Sequence, residues 1–304
     1  MVGEHRRGFW YGFSAYFAWG LFPLYWTLLE PAGATEILGH RIVWSVLTMA
    51  VLVVVLRLWR KIWMIVADRR RLGLIAVGAV VIAINWATYI WGVNNGHVVE
   101  TSLGYFINPL ILIFLGVAIM GERLRLVQWI AIAIATVAVV QLTIDYGRPP
   151  WIALTLAFCF GTYGLMKKKA HAGAVEGLTI ETMILAPVAL GYLLVLQADG
   201  SGAFGREGAL HAVLLAGTGI VTAIPLLLFG GAATRVPMTT LGLLQYVAPI
   251  MQFTLGLVVF DEQMTTARWV GFGLVWCALL IITVESGLSR RHALPGPVEV
   301  PARV

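Results

Sequence analysis

Residues 103–129 read LGYFINPLILIFLGVAIMGERLRLVQW, and residues 243–269 read LLQYVAPIMQFTLGLVVFDEQMTTARW. A gap-free shift of 140 residues sets Leu103 on Leu243, Pro109 on Pro249, Leu115 on Leu255, Gly116 on Gly256, Glu122 on Glu262 and Trp129 on Trp269. Apolar matches alone would carry little weight in so apolar a chain. A proline, a glycine, a glutamate and a tryptophan held in one register mark an internal repeat. Near the start the best shift is 141, with Phe17 on Phe158 and Gly20 on Gly161.

The residues around these stretches say what the repeat is made of. The chain is 60% hydrophobic and 12% charged, whereas a soluble domain carries about twice that share of charge to wet its surface. Crossing a hydrocarbon core takes about 20 apolar residues as a helix, which alone satisfies its own backbone groups there. Ten runs qualify: 8–29, 36–58, 72–93, 101–120, 126–144, 151–166, 178–196, 209–230, 239–260 and 269–285. Five runs per half is an odd number, so the second half enters the bilayer upside down. The expected fold is therefore all-α integral membrane, ten transmembrane helices as two inverted five-helix repeats, the usual plan of secondary transporters. Residues 1–146 form the first repeat, 147–285 the second, and 286–304 a disordered cytoplasmic tail with Pro295, Pro297 and Pro301.

Charge placement sets the orientation. With the N-terminus inside, 17 of the 21 Lys and Arg fall in inner segments, including Arg69-Arg70-Arg71 and Lys167-Lys168-Lys169. Only Arg41, Arg148, Arg206 and Arg268 fall outside. Both termini are expected in the cytoplasm and the protein in the cell (plasma or inner) membrane, crossing it many times. Short basic runs between apolar stretches are not a nucleic-acid groove, so no nucleic-acid partner is expected despite the net charge of +6. The run from Gly8 to Leu29 is too long for a signal peptide, with no small-x-small site after it. Cys159 and Cys277 lie inside apolar runs and read as packing residues.

The paired stretches Pro109…Leu115-Gly116…Gly121-Glu122-Arg123-Leu124 and Pro249…Leu255-Gly256…Asp261-Glu262 resemble the signature of the EamA repeat of the drug/metabolite transporter superfamily. Gly39-His40-Arg41, Tyr89-Ile90-Trp91, Asn94 to Glu100 and Ser102 to Pro109 are similar to its RarD branch. The likeness spans nearly all of the chain except the tail. It implies a ten-helix permease but no substrate, because members of the branch are named mostly for drug sensitivity. Asn108 meets Ala248 and Asn85 meets Pro225 in the second half, so the two repeats differ where a symmetric site would form.

Polar groups within spans need partners, water or a solute, because hydrocarbon supplies none. Spans five and ten are almost wholly apolar and are expected to face lipid, leaving the other eight around the pathway. In span three, Asn85 and Tyr89 are one turn apart beside Trp86, with Asn85 ~18 Å deep. In span four, Tyr105 and Asn108 share a face just before Pro109, which frees a backbone carbonyl. These residues are expected to line a substrate cavity, although interhelical hydrogen bonds would also account for them. Tyr16, Trp19, Tyr163, Gln245 and Tyr246 are lesser cavity candidates, with plain packing as the alternative. Glu36, His40 and Trp44 lie on one face of span two with Arg41 beside them. They read as an outer gate able to titrate, or as interfacial anchors. A shift of 141 sets His40 on Glu181, which reads as its inner counterpart. Glu122 and Glu262 are expected to bind loop or helix-terminal N–H groups.

Nothing in the pattern supports an enzyme. The six histidines lack metal-ligand spacing, and no Gly-rich phosphate loop precedes a helix. No cofactor is expected. Without an ATP-binding loop, transport would be facilitated or coupled to an ion gradient. The expected partners are then the lipid bilayer, a small-molecule substrate and a coupling proton or other ion. Set beside this are an intramembrane enzyme, which would need a nucleophile or acid–base cluster at one depth, and a non-transporting membrane sensor.

Overall fold

A computed structural model describes residues 2–120 and 124–292. Gly121 to Arg123, and with them the expectation for Glu122, lie outside the described residues, as does 293–304. The described chain runs α1 (Val2–Gly20), α2 (Phe22–Thr27), α3 (Ala34–Val55), α4 (Trp59–Ala67), α5 (Arg69–Asn94), α6 (Val98–Met120), α7 (Leu126–Tyr146), α8 (Trp151–Ala170), α9 (Ala174–Ala198), α10 (Ala209–Ala233), α11 (Met238–Leu244), α12 (Val247–Val258) and α13 (Thr266–His292). No strand occurs among the described residues.

Eight segments are long and apolar enough to cross a membrane: 34–55, 69–94, 98–115, 126–146, 174–198, 209–233, 240–258 and 266–285. The expected first and sixth spans fall short, for identifiable reasons. Run 8–29 is interrupted at Leu21, where Pro23 in the next turn has no N–H to continue the ladder, and α1 begins among the charges Glu4, Arg6 and Arg7. Run 151–166 is short, and its helix continues past it through the lysines to Ala170. Arg71 closes that end, donating from Nε to Ala170 O at 2.8 Å and from Nη2 to His171 O at 2.9 Å.

Three other expectations are corrected. Run 239–260 is two helices, α11 and α12, with Gln245 and Tyr246 at the break. The segment after span two holds a helix, α4, whose Trp59, Trp63 and Met64 are exposed beside Arg60 and Lys61, the composition of an interfacial helix. The tail does not begin at Ser286, since α13 carries on to His292. Helix starts and stops elsewhere follow ordinary chemistry. The Asp68 carboxylate accepts from the backbone N–H of Arg70 and Arg71 at the head of α5. Gly147, at φ 65°, ends α7 in the left-handed conformation that a side chain would oppose.

The packing pairs helices across the repeat. α3 lies on α9, α6 on α12 and α7 on α13, each helix on its counterpart in the other half. α5 packs on α8 just as α10 packs on α1. α3 and α9 run antiparallel: Thr35 Oγ1 meets Tyr192 Oη at 2.8 Å, while Met49 clusters with Leu178. In the α7–α13 pair, Ala131, Ala135 and Ala138 bury against Val275, Ala278 and Leu279. Small residues let such helices approach closely. The outward Val137, Val140, Ile144, Leu280 and Val284 are exposed, the surface a bilayer would cover.

Candidate functional site

The middle of the bundle holds a cation. Arg41, on α3, is 4% exposed and lies over Trp86 of α5, its guanidinium carbon 3.9 Å from the ring centroid. Trp26 and Phe22 of α2 complete the aromatic wall at 5.2 and 5.8 Å. Cation–π contact of this kind grows stronger where water is excluded. Arg41 Nε donates to Thr222 Oγ1 of α10 at 3.0 Å, and that hydroxyl donates to Thr218 O at 2.8 Å. Among the described residues no carboxylate pairs with Arg41.

Three of the expected cavity residues gather beside Trp86 and Arg41. Asn85 Nδ2 donates to Leu156 O at 2.9 Å, and Tyr105 Oη donates to Asn85 Oδ1 at 3.4 Å. The rings of Tyr89 and Tyr105 meet edge-on at 5.7 Å, and both pack in the cluster of Phe22 and Trp26, the rings that face Arg41. The buried Tyr89 hydroxyl has no hydrogen-bond partner. Arg41, read from sequence as part of a gate, therefore sits with Asn85, Trp86, Tyr89 and Tyr105. Helix spacing explains it: Arg41 is one residue on from His40, about 100° around the helix.

Glu36 and His40 turn to a different neighbour, the loop before α10. Glu36 Oε1 accepts from Ala203 N at 2.7 Å and Phe204 N at 3.3 Å. His40 stacks on Phe204 at 4.7 Å and its Nδ1 accepts from Trp44 Nε1 at 3.3 Å. At the opposite end of the α3–α9 pair, Glu181 of α9 meets Lys167 of α8 at 3.1 Å. Tyr163 Oη donates to Glu181 Oε2 at 3.0 Å and accepts from Lys167 Nζ. Tyr163 thus belongs with Glu181 rather than with Asn85.

The remaining candidates make other contacts, although Trp19 also packs on the cluster of Phe22, Trp26 and Tyr89. Tyr16 and Trp19 pack on each other and on Phe229 of α10. Asn108 is buried with its Oδ1 unpartnered, near Gly161 of α8. Tyr246 packs on the cluster that holds Phe272 and Val275 of α13, and Gln245 caps α11. Sequence reading missed Trp26, Phe22, Thr222 and Lys167. The first three carry no signal without the tertiary contact. Lys167 was legible only as one of three basic residues at a helix end.

The ends of the bundle carry further charges. Glu100 bonds Arg148 at 2.8 Å and accepts from Ile152 N at 3.2 Å, and Asp145 bonds Arg268 at 2.9 Å. Glu262, in the loop after α12, accepts from Val98 N and Val99 N at the head of α6. It meets the helix-terminal N–H groups expected of it. Burial raises its carboxyl from 4.5 to about 7, against the lowering effect of those N–H groups. Among the described residues no group of three His, Cys, Asp or Glu is placed to hold a metal.

A chain whose described residues fold as helices, with eight membrane-length apolar segments among them and ionisable groups inside the bundle, is a multi-pass membrane protein. Its class comes from its relatives. The EamA-like transporter family matches the chain twice, over residues 6–144 and 149–284. The chain is 53% identical to protein RarD of Streptomyces exfoliatus, over 99% of this chain and 98% of that one. It is 41% identical to an uncharacterised transporter, YojE, of Bacillus subtilis strain 168, over 92% and 94%. A solved crystal structure shares the fold with a TM-score of 0.56 at 15% identity, covering 91% of this chain and 97% of that one. The protein is a membrane transporter. It belongs to the EamA-like transporter family, beside the RarD proteins.

Proposed function

We propose that the protein is a secondary transporter of a small organic solute, working by alternating access. In this reading it crosses the cell membrane ten times, as inverted repeats 1–146 and 147–285, with both termini cytoplasmic. The observation that carries it is the packing of α3, α6 and α7 on their own counterparts α9, α12 and α13. A helix packs on its counterpart when a two-fold axis runs between them. With α3 and α9 antiparallel, that axis is compatible with one lying in the membrane plane, which gives two similar states open to opposite sides. The double match of the family supports the same division of the chain. In the ten-crossing count, α1 with α2 is the first span and α8 the sixth.

The cavity in this reading is the Arg41, Asn85, Trp86, Tyr89 and Tyr105 group, and the gates are its two ends. Glu36 and His40 close one end on Phe204, while Glu181, Lys167 and Tyr163 close the other. Asn108, Tyr16, Trp19, Gln245 and Tyr246 then act as helix packing around the pathway. The gates are also where a coupling proton would act, since both are buried and ionisable. The test of transport is flux of radiolabelled solutes in proteoliposomes. Exchange of no solute across a broad panel would overturn it. Cysteines at positions 40 and 181 test the gates: a substrate should raise thiol reactivity at one and lower it at the other. Parallel changes at both would leave these residues as helix anchors.

A further inference from the structure

Arg41 differs from every other buried charge described above. Glu100 has Arg148, Glu181 has Lys167, Asp145 has Arg268, and Glu36 has two backbone N–H groups. Arg41 is 4% exposed, close to Glu100 and Glu181 at 2% and below Glu36 at 6%, and its one hydrogen bond is from Nε to a neutral hydroxyl. Among the described residues its two terminal nitrogens have no hydrogen-bond partner. A guanidinium held inside a bundle without a counter-charge is costly unless something of opposite sign completes it.

The orientation of the group says what that something is. Trp86 lies against the guanidinium, 3.9 Å from its carbon to the ring centroid, and Thr222 takes the Nε edge. What is left is the terminal fork, two parallel N–H vectors that match the two oxygens of a carboxylate. The Tyr89 hydroxyl, buried and unpartnered among the described residues, is a further donor on a ring that packs in the cluster of Phe22 and Trp26. The rings of Trp26, Tyr89 and Tyr105 provide apolar wall for the body of the molecule.

We infer that Arg41 is the receptor for the carboxylate of an organic anion, and that such anions are the substrate class. The word substrate rests on the transporter reading above; the binding site rests on the geometry of Arg41. A carboxylate entering the group neutralises the buried cation, so the same molecule minus its charge loses the main interaction. Lysine at 41 would keep the charge but not the planar fork. Methionine would remove the charge and keep much of the packing.

The experiment is binding to the full-length purified protein in lipid nanodiscs, by thermal shift and calorimetry. The probes are acetate, succinate, benzoate and indole-3-acetate, each paired with its amide. At least one acid should bind saturably and raise the melting temperature, at least tenfold tighter than its amide. Arg41→Met should abolish that preference and melt at or above wild type, having lost an uncompensated buried charge. Arg41→Lys should bind at least tenfold more weakly than wild type. If no acid is preferred over its amide, or if Arg41→Met retains the preference, the inference is wrong. If Arg41→Met melts well below wild type and Arg41→Lys binds normally, the arginine is a packing element and the inference also fails. Carboxylate binding without flux would overturn the transporter reading and leave this one. Flux confined to neutral or cationic solutes would do the reverse.

Discussion

Replacing Gly219 with alanine should destabilise the bundle and loosen the Arg41 site together. Gly219 lies on α10 where it crosses α3. A Cβ there would lie 2.3 Å from the backbone oxygen of Trp44, 2.5 Å from its carbonyl carbon and 2.8 Å from Thr48 Oγ1. Two of those atoms are main chain in the middle of a helix, so no rotamer change relieves the clash. α3 and α10 must separate by about 1 Å to restore an ordinary contact. Overpacking of this kind costs roughly 1–3 kcal/mol, and the better helix propensity of alanine returns up to about 1 kcal/mol. Because main chain must move, the cost falls at the upper end of that range, and a net loss of about 2 kcal/mol follows. Thr222 is one turn along from Gly219, so the same separation would stretch the 3.0 Å bond from Arg41 Nε beyond hydrogen-bonding range. Gly230, on the same helix, is the internal control, because a Cβ there meets nothing within 4 Å. Gly230→Ala should be neutral or slightly stabilising. Equilibrium unfolding in mixed micelles, followed by circular dichroism, measures both. Equal stability of Gly219→Ala and wild type, or equal loss in both variants, would refute the close crossing of α3 and α10.

Glu181→Gln should cost about 1–3 kcal/mol, since it strands Lys167, whose side chain is only 20% exposed. The pair Lys167→Met with Glu181→Leu should cost less than the two single changes added, and the same unfolding assay reads the coupling. Glu262 predicts a pH dependence. Its folded carboxyl titrates at about 7 against 4.5 unfolded, so the folded state binds the extra proton between those values. Stability should therefore fall as pH rises from 4.5 to about 7 and then level off, and Glu262→Gln should flatten that fall while still accepting from Val98 and Val99. For orientation, a cysteine at Arg69 should resist an impermeant thiol reagent in intact cells and one at Arg206 should react; the reverse would invert the assignment.

The class of protein was legible in composition, because a chain with so few charges has only the bilayer for a surroundings. Most helices were legible too, since an apolar run of membrane length has one way to satisfy its backbone. The breaks at Leu21 and at Gln245-Tyr246 were not, as an apolar run looks the same whether its ladder is continuous or interrupted. α4 was hidden for a related reason: its basic residues made it read as loop. Among site residues, polarity within a span singled out Asn85, Tyr89, Tyr105, Arg41 and Glu181. What polarity could not say is which of them meet. Arg41 and His40 are neighbours in sequence yet point to Trp86 and to Phe204. Tyr163 went to Glu181 and Tyr246 to α13. A sequence fixes how far a group is from water, through the run of residues around it. It does not fix the angle at which one helix crosses another, and that angle, set by contacts such as Gly219 on Trp44, decides which side chains share a site.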